Sequence, residues 1–491
     1  MKKDLELFIN SKLEQYKLVV VSNREPYEHK RVGNKVTCSA PKGGLVTALE
    51  PVLAHCRGTW IAWGSGNADR EYVDKDSCLM VPPEKPAYKL HRIWLTEKEV
   101  DNYYFGLSNK VFWPLFHMMI GNVNYRERFW RDYQAVNSKF ARAVLEECAG
   151  KEAQSIVWLH DFHLALAAGE IKKKAPSLVT TFFWHIPWPV WAIYSIFPKQ
   201  KELIEGLLGN DILAFHTKEC VKNFLDCVKY SLKVSVNYHD QTIIYNGHTT
   251  RARIFPISID YEYVRGIALR TDEKAVIKKM KLDPVINDKV IGVGVDRLDY
   301  SKGIYEKFLA IDRFLDKYPQ YKNRFVFIQK SSLSRTKLKA YRDYKHDLSN
   351  LICNINEKHR NNGWKPIIHI TAPFNAEKII ALYKAADFCL VNSLMDGMNL
   401  VAKEFIAAQT NRKGALICSK YAGAVNELGS HLIRTDPRDI DDLADKIYQA
   451  VNMPQTQKQS KMKKMQDYVK KYDIFEWART NLIEVLALKE D

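Results

Sequence analysis

The segment MDGMNLVAKEF, residues 395–405, contains two carboxylates and a glycine whose spacing suits an extended ligand. Asp396 precedes a predicted helix, and Glu404 lies about two turns inside it. Free N–H groups at the start of a helix, together with the helix dipole, favour a phosphate. Asp396 could then accept hydrogen bonds from sugar hydroxyls, and Glu404 could bind a ribose diol. The residues predicted to cradle the phosphate are Gly397, Met398, Asn399 and Leu400.

Carboxylates in this part of the chain also have purely structural interpretations. Asp396 could be the N-cap of an amphipathic helix, and Lys403 could form a surface pair with Glu404. Further on, Asp439 and Asp441 could be read as a metal-binding pair. They directly introduce the helical pattern DLADKIYQAV, however, so we interpret Asp439 as a helix cap.

A second candidate site is VGVDRLDYSKG, residues 293–303, which ends a predicted strand with Arg297 and carries Lys302 five residues later. Two cations that converge after a strand can neutralise a diphosphate, and the planar fork of arginine suits its oxygens. The two glycines before them are not the dinucleotide fingerprint, because no third glycine follows at the required spacing. Salt bridges to Asp296 and Asp299 are the structural alternative.

The segment WLHDFHL, residues 158–164, favours a hydroxyl-binding carboxylate over a metal site. Asp161 follows a predicted strand and is flanked by two histidines. The third and fourth ligands expected of a zinc site are missing from this neighbourhood. We therefore expect no metal here and expect Asp161 to accept hydrogen bonds from substrate hydroxyls, with a structural hydrogen bond as the alternative.

The apolar segment VTTFFWHIPWPVWAIYSIFP, residues 179–198, has roughly the length of a membrane span. His185, Pro187 and Pro189 lie at its centre, where they would leave polar groups unsatisfied in lipid. We therefore predict a buried strand that leads into a proline-stiffened loop, and no membrane span.

Apolar runs that end in polar residues alternate with helical patterns along the chain. This alternation predicts an α/β fold with parallel sheets covered by helices on both faces. In such sheets, ligands bind beyond the carboxyl ends of the strands. The predicted strands begin near residues 18, 155, 179, 211, 290, 325, 367, 387 and 415, and the polar residues at their ends include Arg24, Asp161, His185, His216, Arg297 and Lys330.

The length of 491 residues exceeds the usual size of one hydrophobic core and predicts two domains. The series of strands weakens between residues 233 and 288, so we place the boundary near residue 260. The predicted domains are residues 1–260 and 261–472. The last segment, residues 473–491, is predicted to be a helix that packs back toward the N-terminal domain.

Composition narrows the choice of partners and compartment. A formal charge of +17 favours anionic partners. The basic residues that stand out follow strands and do not form an aromatic-studded surface, so we expect no nucleic-acid binding. The nine cysteines are scattered and form no CxxC pair, which is typical of reduced thiols. The charged N-terminus lacks the apolar stretch of a signal peptide, and we expect a cytoplasmic protein.

In combination, these segments resemble the trehalose-6-phosphate synthases. The resemblance runs from about residue 18 to about residue 480, and the spacings from Arg297 to Arg335 and from Asp396 to Glu404 agree with the family. It rests on the segments SNRE with KGG, YYFGLSNKVFWPLFH, HDFHL, HIPWP, DRLDYSKG, SR at residue 334, DGMNLVAKE and AGAVNEL, taken in that order. The resemblance implies two Rossmann-like domains of the GT-B type that face each other across a cleft.

The resemblance also implies a retaining, metal-independent and cofactor-free transfer of glucose from a nucleotide sugar to glucose 6-phosphate, with UDP-glucose as the expected donor. It assigns the chemical step to Asp161, His185, Arg297 and Lys302. The residues that it implies for binding of the donor are Gly44, His185, Arg297, Lys302, Asp396, Gly397, Met398, Asn399, Leu400 and Glu404. The residues that it implies for binding of the phosphorylated acceptor are Arg24, Trp63, Tyr104, Trp113, Asp161 and Arg335. The resemblance is compatible with a homo-oligomer.

Four positions depart from the family pattern, and they leave alternatives open. Trp191 and Ala192 follow HIPWP where the family has a Pro or Ser and then Glu, and Ser393 and Met395 replace Pro and Arg before Asp396. These departures bear on which sugar and which nucleotide are used. The alternatives are a synthase that uses glycerol 3-phosphate or another phosphorylated acceptor, and a non-catalytic homologue that binds sugar phosphate.

Overall fold

The computed structural model describes residues 2–39, 44–56 and 58–490. The chain divides into two compact units. Unit 1 comprises residues 1–257 together with residues 474–491, and unit 2 comprises residues 258–473. Each unit contains a largely parallel sheet packed with helices, so the predicted α/β class is confirmed.

The main sheet of unit 1 has ten strands in the order β10-β11-β12-β9-β8-β7-β1-β4-β6-β5. The neighbours from β12 to β6 run parallel, and antiparallel strands close both edges. A separate hairpin is formed by β2 and β3. The strands are β1 Lys17–Arg24, β2 Glu28–Val32, β3 Lys35–Ser39, β4 Thr59–Trp63, β5 Cys78–Val81, β6 Tyr88–Ile93, β7 Ser155–His160, β8 Val179–Phe183, β9 Ile212–Phe215, β10 Val236–Asn237, β11 Thr242–Tyr245 and β12 His248–Ile254.

The central strands of unit 1 are apolar because helices cover both faces of the sheet. All six residues of β7 are buried, as are all five of β8. A 13-residue π-helical segment, Val100–Phe112, continues directly into a short α-helix. The α-helices are α1 Lys2–Phe8, α2 Gly44–Cys56, α3 Glu97–Glu99, α4 Trp113–Phe116, α5 Glu127–Cys148, α6 Ala167–Lys174, α7 Trp191–Tyr194, α8 Gln200–Leu207 and α9 Lys218–Leu232.

The sheet of unit 2 is entirely parallel, with the order β15-β14-β13-β16-β17-β18. The strand order reverses direction at β13 and β16, which is the position where doubly wound sheets bind ligands. The strands are β13 Val290–Arg297, β14 Phe325–Ser332, β15 Ile367–Ile370, β16 Phe388–Val391, β17 Ala415–Ser419 and β18 Ile433–Thr435.

The helices of unit 2 bury apolar residues at three- and four-residue spacings against this sheet. In the helix Ile440–Asn452, Leu443, Ala444, Ile447 and Ala450 are buried, and the Asp439 carboxylate accepts from the N–H of Asp442 at 2.9 Å, which confirms the predicted cap. The helices are α10 Tyr261–Arg270, α11 Glu273–Lys279, α12 Asp283–Ile286, α13 Ile304–Lys317, α14 Lys339–Lys358, α15 Ala376–Ala385, α16 Leu400–Ala408, α17 Ala424–Leu428, α18 Ile440–Asn452 and α19 Gln455–Lys471.

The last helix, α20 Ile474–Glu490, belongs to unit 1. Its Trp477 stacks on Trp158 of β7, with ring centroids 5.3 Å apart, and lies 5.1 Å from the ring of Phe183 at the end of β8. The helix thus packs under the strands that lead to Asp161 and His185.

Among the described residues, no helix combines the length and the apolar character that crossing a bilayer requires. The segment that resembled a span forms β8, a loop and the short helix α7, in agreement with the prediction of a buried strand followed by a loop.

Candidate active site

The carboxyl end of β13 carries a cluster of two arginines around one buried carboxylate. Arg297 is the last residue of β13 and is paired in the sheet with Ser332 of β14. Asp299 is fully buried two residues later. Its Oδ2 accepts a hydrogen bond from Nη1 of Arg335 at 2.9 Å, and Nη2 of Arg297 lies 3.8 Å from the same oxygen. One carboxylate therefore forms a hydrogen bond with Arg335 and a longer ion pair with Arg297.

Further hydrogen bonds fix the Asp299 carboxylate. Its Oδ1 accepts from the N–H and the hydroxyl of Ser301, at 3.0 and 2.9 Å, and its Oδ2 accepts from the hydroxyl of Tyr341 at 3.2 Å. Burial alone would raise the pKa of Asp299, but Arg335 and Arg297 outweigh burial and hold the pKa well below its ordinary range. Asp299 stays ionised and balances one of the two arginine charges, so the cluster keeps a net positive charge for an anion.

Lys302 connects the turn after β13 to the loop after β16. Its Nζ lies 2.6 Å from Oδ2 of Asp396, which also accepts from the Ser393 hydroxyl at 3.0 Å and from Nδ2 of Asn399 at 3.0 Å. The next residue, Gly303, has a φ of +60°, and a Cβ there would lie 2.1 Å from the carbonyl oxygen of the residue that follows β16. Only glycine allows this close approach.

Three consecutive backbone N–H groups lie unpaired just before α16. Gly397, Met398 and Asn399 are buried, yet within the part of the chain that the structure describes their N–H groups donate no hydrogen bond. The carbonyl oxygens of Asp396 and Met398 accept from the N–H groups of Gly423 and Ala424 at the start of α17, at 3.2 and 2.9 Å. Buried N–H groups are normally paired, and at the start of a helix an anion is the natural partner.

The structural interpretation of residues 395–405 is wrong in both parts. The N-cap of α16 is Asn399, whose Oδ1 accepts from the N–H of Ala402 at 3.4 Å, so Asp396 is not the cap. Lys403 is fully buried and its Nζ lies 2.6 Å from a carboxylate oxygen of Glu427, so it does not form a surface pair with Glu404.

The salt-bridge alternative for the two cations of residues 293–303 is correct only for one pair. Asp299 does lie beside Arg297. Lys302 pairs with Asp396, which was not its predicted structural partner. Asp296 instead forms a buried ion pair with Lys307, at 2.9 Å, below the site.

Glu404 lies on α16, partly buried, and its Oε2 accepts from the hydroxyl of Tyr383 at 3.4 Å. Burial raises the pKa of Glu404 from 4.5 to about 7, although the hydrogen bond from Tyr383 opposes the rise. A carboxylate with a pKa near 7 titrates in the physiological range and gains stabilisation when hydroxyl donors reach it.

In unit 1, three of the predicted acceptor residues, Arg24, Trp63 and Tyr104, are linked by strand pairing and a ring contact. Arg24 is exposed at the end of β1 and pairs in the sheet with Trp63 at the end of β4. The ring of Trp63 lies 5.8 Å from that of Tyr104, which stacks on His163 at 5.9 Å. Trp113 is buried, and its ring packs 4.0 Å from that of the next-turn histidine, His117.

Asp161 and His185 are brought together at the ends of β7 and β8. Asp161 has a φ of +72°, and its Oδ1 accepts from the N–H of Phe162 at 3.0 Å and from the N–H of His185 at 3.3 Å. Burial and the neighbouring His160 hold the pKa of His185 well below its ordinary value. The structural alternative for Asp161, a hydrogen bond to the backbone, is therefore present beside any substrate role.

Two further predicted residues complete the set. Gly44 is the first residue of α2, and the loop residues 40–43 that precede it lie outside the described residues. Its approach to a diphosphate stays a prediction. Arg335 belongs to unit 2 and contacts Asp299 and Tyr341, whereas the other residues predicted for the acceptor belong to unit 1.

Comparison with known proteins places this arrangement in a family. The sequence profile of glycosyltransferase family 20 matches residues 16–487. The chain belongs to glycosyltransferase family 20. A UDP-forming α,α-trehalose-phosphate synthase of Pichia angusta is 33% identical and is covered over 98% of its length by 95% of this chain. A trehalose-6-phosphate synthase of Salmonella typhimurium is also 33% identical, over 94% of this chain and 93% of its own.

Solved structures support the same family 20 assignment. A structure from E. coli bound with UDP-2-fluoro glucose has a TM-score of 0.85 at 31% identity and covers 96% of this chain and 99% of its own. A trehalose-phosphate synthase structure from Burkholderia xenovorans in complex with glucose-6-phosphate has a TM-score of 0.83 at 27% identity and covers 96% and 100%. The predicted GT-B fold class and the resemblance to trehalose-6-phosphate synthases are thereby confirmed.

Two residues of this family 20 glycosyltransferase site were not predicted from the sequence. Asp299 was considered only as a salt-bridge partner, although an Asp that precedes a tight turn after a strand is a recognisable signal for a side chain that binds its own backbone. Tyr341, on α14, carried no such signal, because its contact with Asp299 depends on the packing of a helix 42 residues away in sequence.

Proposed function

We propose that this chain is an α,α-trehalose-phosphate synthase that transfers glucose from UDP-glucose to glucose 6-phosphate and releases trehalose 6-phosphate and UDP. The observation that carries the proposal is the positive cluster at the end of β13 next to the unpaired N–H groups before α16. The names and ligands of the family 20 relatives support the choice of donor and acceptor.

On the donor side, unit 2 offers contacts for the diphosphate, the transferred sugar and the ribose of a nucleotide sugar. Arg297 and Lys302 would neutralise the diphosphate, and the N–H groups of residues 397–400 would bind its oxygens. Asp396 would accept hydrogen bonds from the transferred sugar, since Lys302 and Asn399 already hold its other oxygen in place. Glu404 would bind the ribose.

On the acceptor side, unit 1 would hold a phosphorylated sugar. The exposed guanidinium of Arg24 suits a phosphate, and the adjacent rings of Trp63 and Tyr104 suit the sugar. Asp161 would accept hydrogen bonds from acceptor hydroxyls. We therefore propose that residues 1–260 bind the acceptor, residues 261–472 bind the nucleotide sugar, and residues 473–491 stabilise the acceptor domain.

The proposed reaction proceeds with retention at the anomeric carbon. The bond from that carbon to the diphosphate oxygen breaks, and the acceptor hydroxyl forms the new bond on the same face. The hydroxyl proton passes to the departing diphosphate. The chain contributes positioning and electrostatic stabilisation of the leaving group, which can account for most of a rate enhancement of this type.

All nine cysteines are free thiols, which supports a reducing compartment such as the cytoplasm.

Arg24→Gln is expected to weaken binding of the acceptor, glucose 6-phosphate, and to leave binding of the donor unchanged. Loss of one charge-assisted hydrogen bond to phosphate corresponds to roughly a 10- to 100-fold rise in KM for glucose 6-phosphate. The KM for UDP-glucose should stay within about twofold, because Arg24 makes no proposed donor contact. Initial rates with each substrate varied in turn give both constants.

Arg31→Gln is the matched control for Arg24→Gln. Arg31 is a few residues further along and pairs with Glu71 at the surface, so its removal should change neither constant. A rise in the KM for UDP-glucose that equals the rise for glucose 6-phosphate would contradict the assignment of Arg24 to the acceptor.

UDP affinity is expected to rise as pH increases from about 6 to about 8. Ribose hydroxyls donate to the ionised form of Glu404, and burial raises its pKa to about 7 in the free protein. Over this range the ionised fraction grows up to about tenfold. The protonated form is favoured by folding, so the contribution of Glu404 to stability is present at low pH and is lost as pH rises through about 7.

Calorimetric titration of UDP into the wild type and into Glu404→Gln separates this effect from titration of the nucleotide itself. The phosphate of UDP titrates equally in both experiments, so only the difference between the two proteins reports Glu404. Parallel pH profiles in the two proteins would show that Glu404 does not bind the ribose as its carboxylate.

A further inference from the structure

The backbone of His185 is held on both sides by groups of unit 1. Its N–H donates to Oδ1 of Asp161 at 3.3 Å, and its carbonyl oxygen lies 3.1 Å from Nε2 of His216. The N–H of Ile257 donates to Nδ1 of His216 at 3.4 Å, so His216 must carry its proton on Nε2 and donate to His185. The position of His185 is therefore determined independently of any ligand.

The imidazole of His185 is held by a second imidazole. Its Nε2 lies 3.2 Å from Nδ1 of His160, which is buried at the end of β7. Burial lowers the pKa of His160 to about 3 and holds that of His185 well below its ordinary value, so both rings are neutral near pH 7. A hydrogen bond between two neutral imidazoles requires that one nitrogen donates and the other accepts.

The two possible proton arrangements differ in whether Nε2 of His160 carries a hydrogen. That nitrogen is buried and has no hydrogen-bond partner among the described residues. If His185 donated, His160 would carry its proton on Nε2 as an orphaned buried N–H. If the Nδ1–H of His160 donates, Nε2 of His160 carries no hydrogen and presents only a lone pair. Orphaned buried N–H groups are the rarer of the two in folded proteins, so the second arrangement is favoured.

We propose that the Nδ1–H group of His160 donates a hydrogen bond to Nε2 of His185 and thereby keeps the proton of neutral His185 on its own Nδ1. The Nδ1 of His185 has no partner within the described part of the chain, and the residue is only partly buried, so this nitrogen is available to a ligand. His160 is thus a positioning residue that acts through His185.

The consequence for turnover rests on the proposed function, in which His185 lies by the transferred sugar. With its proton on Nδ1, His185 donates a hydrogen bond to a sugar oxygen and offers no lone pair to the substrate. It therefore cannot take the proton of the acceptor hydroxyl, which agrees with transfer of that proton to the departing diphosphate. The histidine orients the donor sugar and does not act as a general base.

Nitrogen NMR of the full-length, ligand-free protein labelled with 15N-histidine tests the tautomer directly. The His185→Gln spectrum identifies the resonances of His185 by their loss. We expect Nδ1 in the protonated range and Nε2 in the range of a bare nitrogen at pH 7. A proton on Nε2, a cationic ring, or averaged signals from both tautomers would overturn the proposal. This outcome does not depend on activity, so it is independent of the proposed function.

Kinetics of His160→Asn and His160→Leu separate positioning from packing. The amide nitrogen of asparagine lies the same number of bonds from Cβ as Nδ1 of histidine and can still donate to Nε2 of His185, whereas leucine cannot. We expect a fall in kcat of roughly 10- to 100-fold for His160→Leu, partial recovery for His160→Asn, and a KM for glucose 6-phosphate within about twofold in both. Equal losses in two variants of equal thermal stability would show that His160 only fills space and would overturn the proposal.

Discussion

Replacing Arg297 or Lys302 with alanine is expected to lower kcat by at least roughly 100-fold. Each variant removes one of the positive charges that would stabilise the departing diphosphate. In Arg297→Ala, Asp299 keeps Arg335 but the cluster loses its net positive charge. In Lys302→Ala, Asp396 keeps Ser393 and Asn399 as donors, so the loop before α16 should stay folded. Initial rates measure the fall in kcat, and calorimetric titration of UDP measures the change in its dissociation constant.

Arg313→Ala is the matched control for these variants. Arg313 lies on α13 of the same unit, and its Nε pairs with the exposed Asp441 at 2.6 Å. Neither residue is one of the proposed diphosphate contacts. Exposed ion pairs contribute little, so kcat and UDP affinity should not change. Wild-type turnover in both Arg297→Ala and Lys302→Ala would refute the assignment of the donor diphosphate to the end of β13.

Lys403→Met is expected to destabilise the protein by about 3–5 kcal/mol, because it leaves Glu427 as a buried, unpaired carboxylate. The Lys403 ammonium and the Glu427 carboxylate lie 2.6 Å apart, and the exposed fractions of their side chains are 0% and 7%. Lys403 directly precedes Glu404 on α16, so loss of the pair should also loosen the helix that carries the ribose contact. Thermal or urea unfolding, monitored by circular dichroism, measures the change.

The double variant Lys403→Met/Glu427→Gln shows whether the loss comes from the unpaired charge. Glutamine carries no charge and can still accept the hydrogen bond from Tyr468, which lies 3.2 Å from Glu427. Most of the lost stability should return in the double variant. If the double variant is as unstable as Lys403→Met, the cost comes from packing of the methionine and not from the buried charge.

The strands that lie at the centre of the sheets could be predicted from the sequence, since a strand covered on both faces is a continuous apolar run. β7 and β16 are of this kind, with every residue buried. Some of the missed strands lie near the edges or are very short, whereas β4, an interior strand with four of its five residues buried, was missed although it is a continuous apolar run. β5 is only partly buried and β18 has three residues, so neither stands out from the surrounding loops.

The candidate site could be predicted residue by residue but not in its internal contacts. The residues of 395–405 were identified, yet the cap proved to be Asn399, because the chain turns once more before α16 begins. The partners of Asp299 and Lys403 lie 36 and 24 residues away, on elements whose packing no local pattern specifies. Spacing along a strand or helix predicts which side chains share an edge, but tertiary packing decides which of them pair.

The measurement that tests the central claim most directly is incubation of the purified protein with UDP-glucose and glucose 6-phosphate, with the product identified by mass and by anomeric NMR. The account predicts an α,α-linked disaccharide phosphate formed together with one equivalent of UDP, and little product when glycerol 3-phosphate replaces glucose 6-phosphate. Glucosylglycerol phosphate as the main product, or UDP-glucose binding without transfer to glucose 6-phosphate, would contradict it.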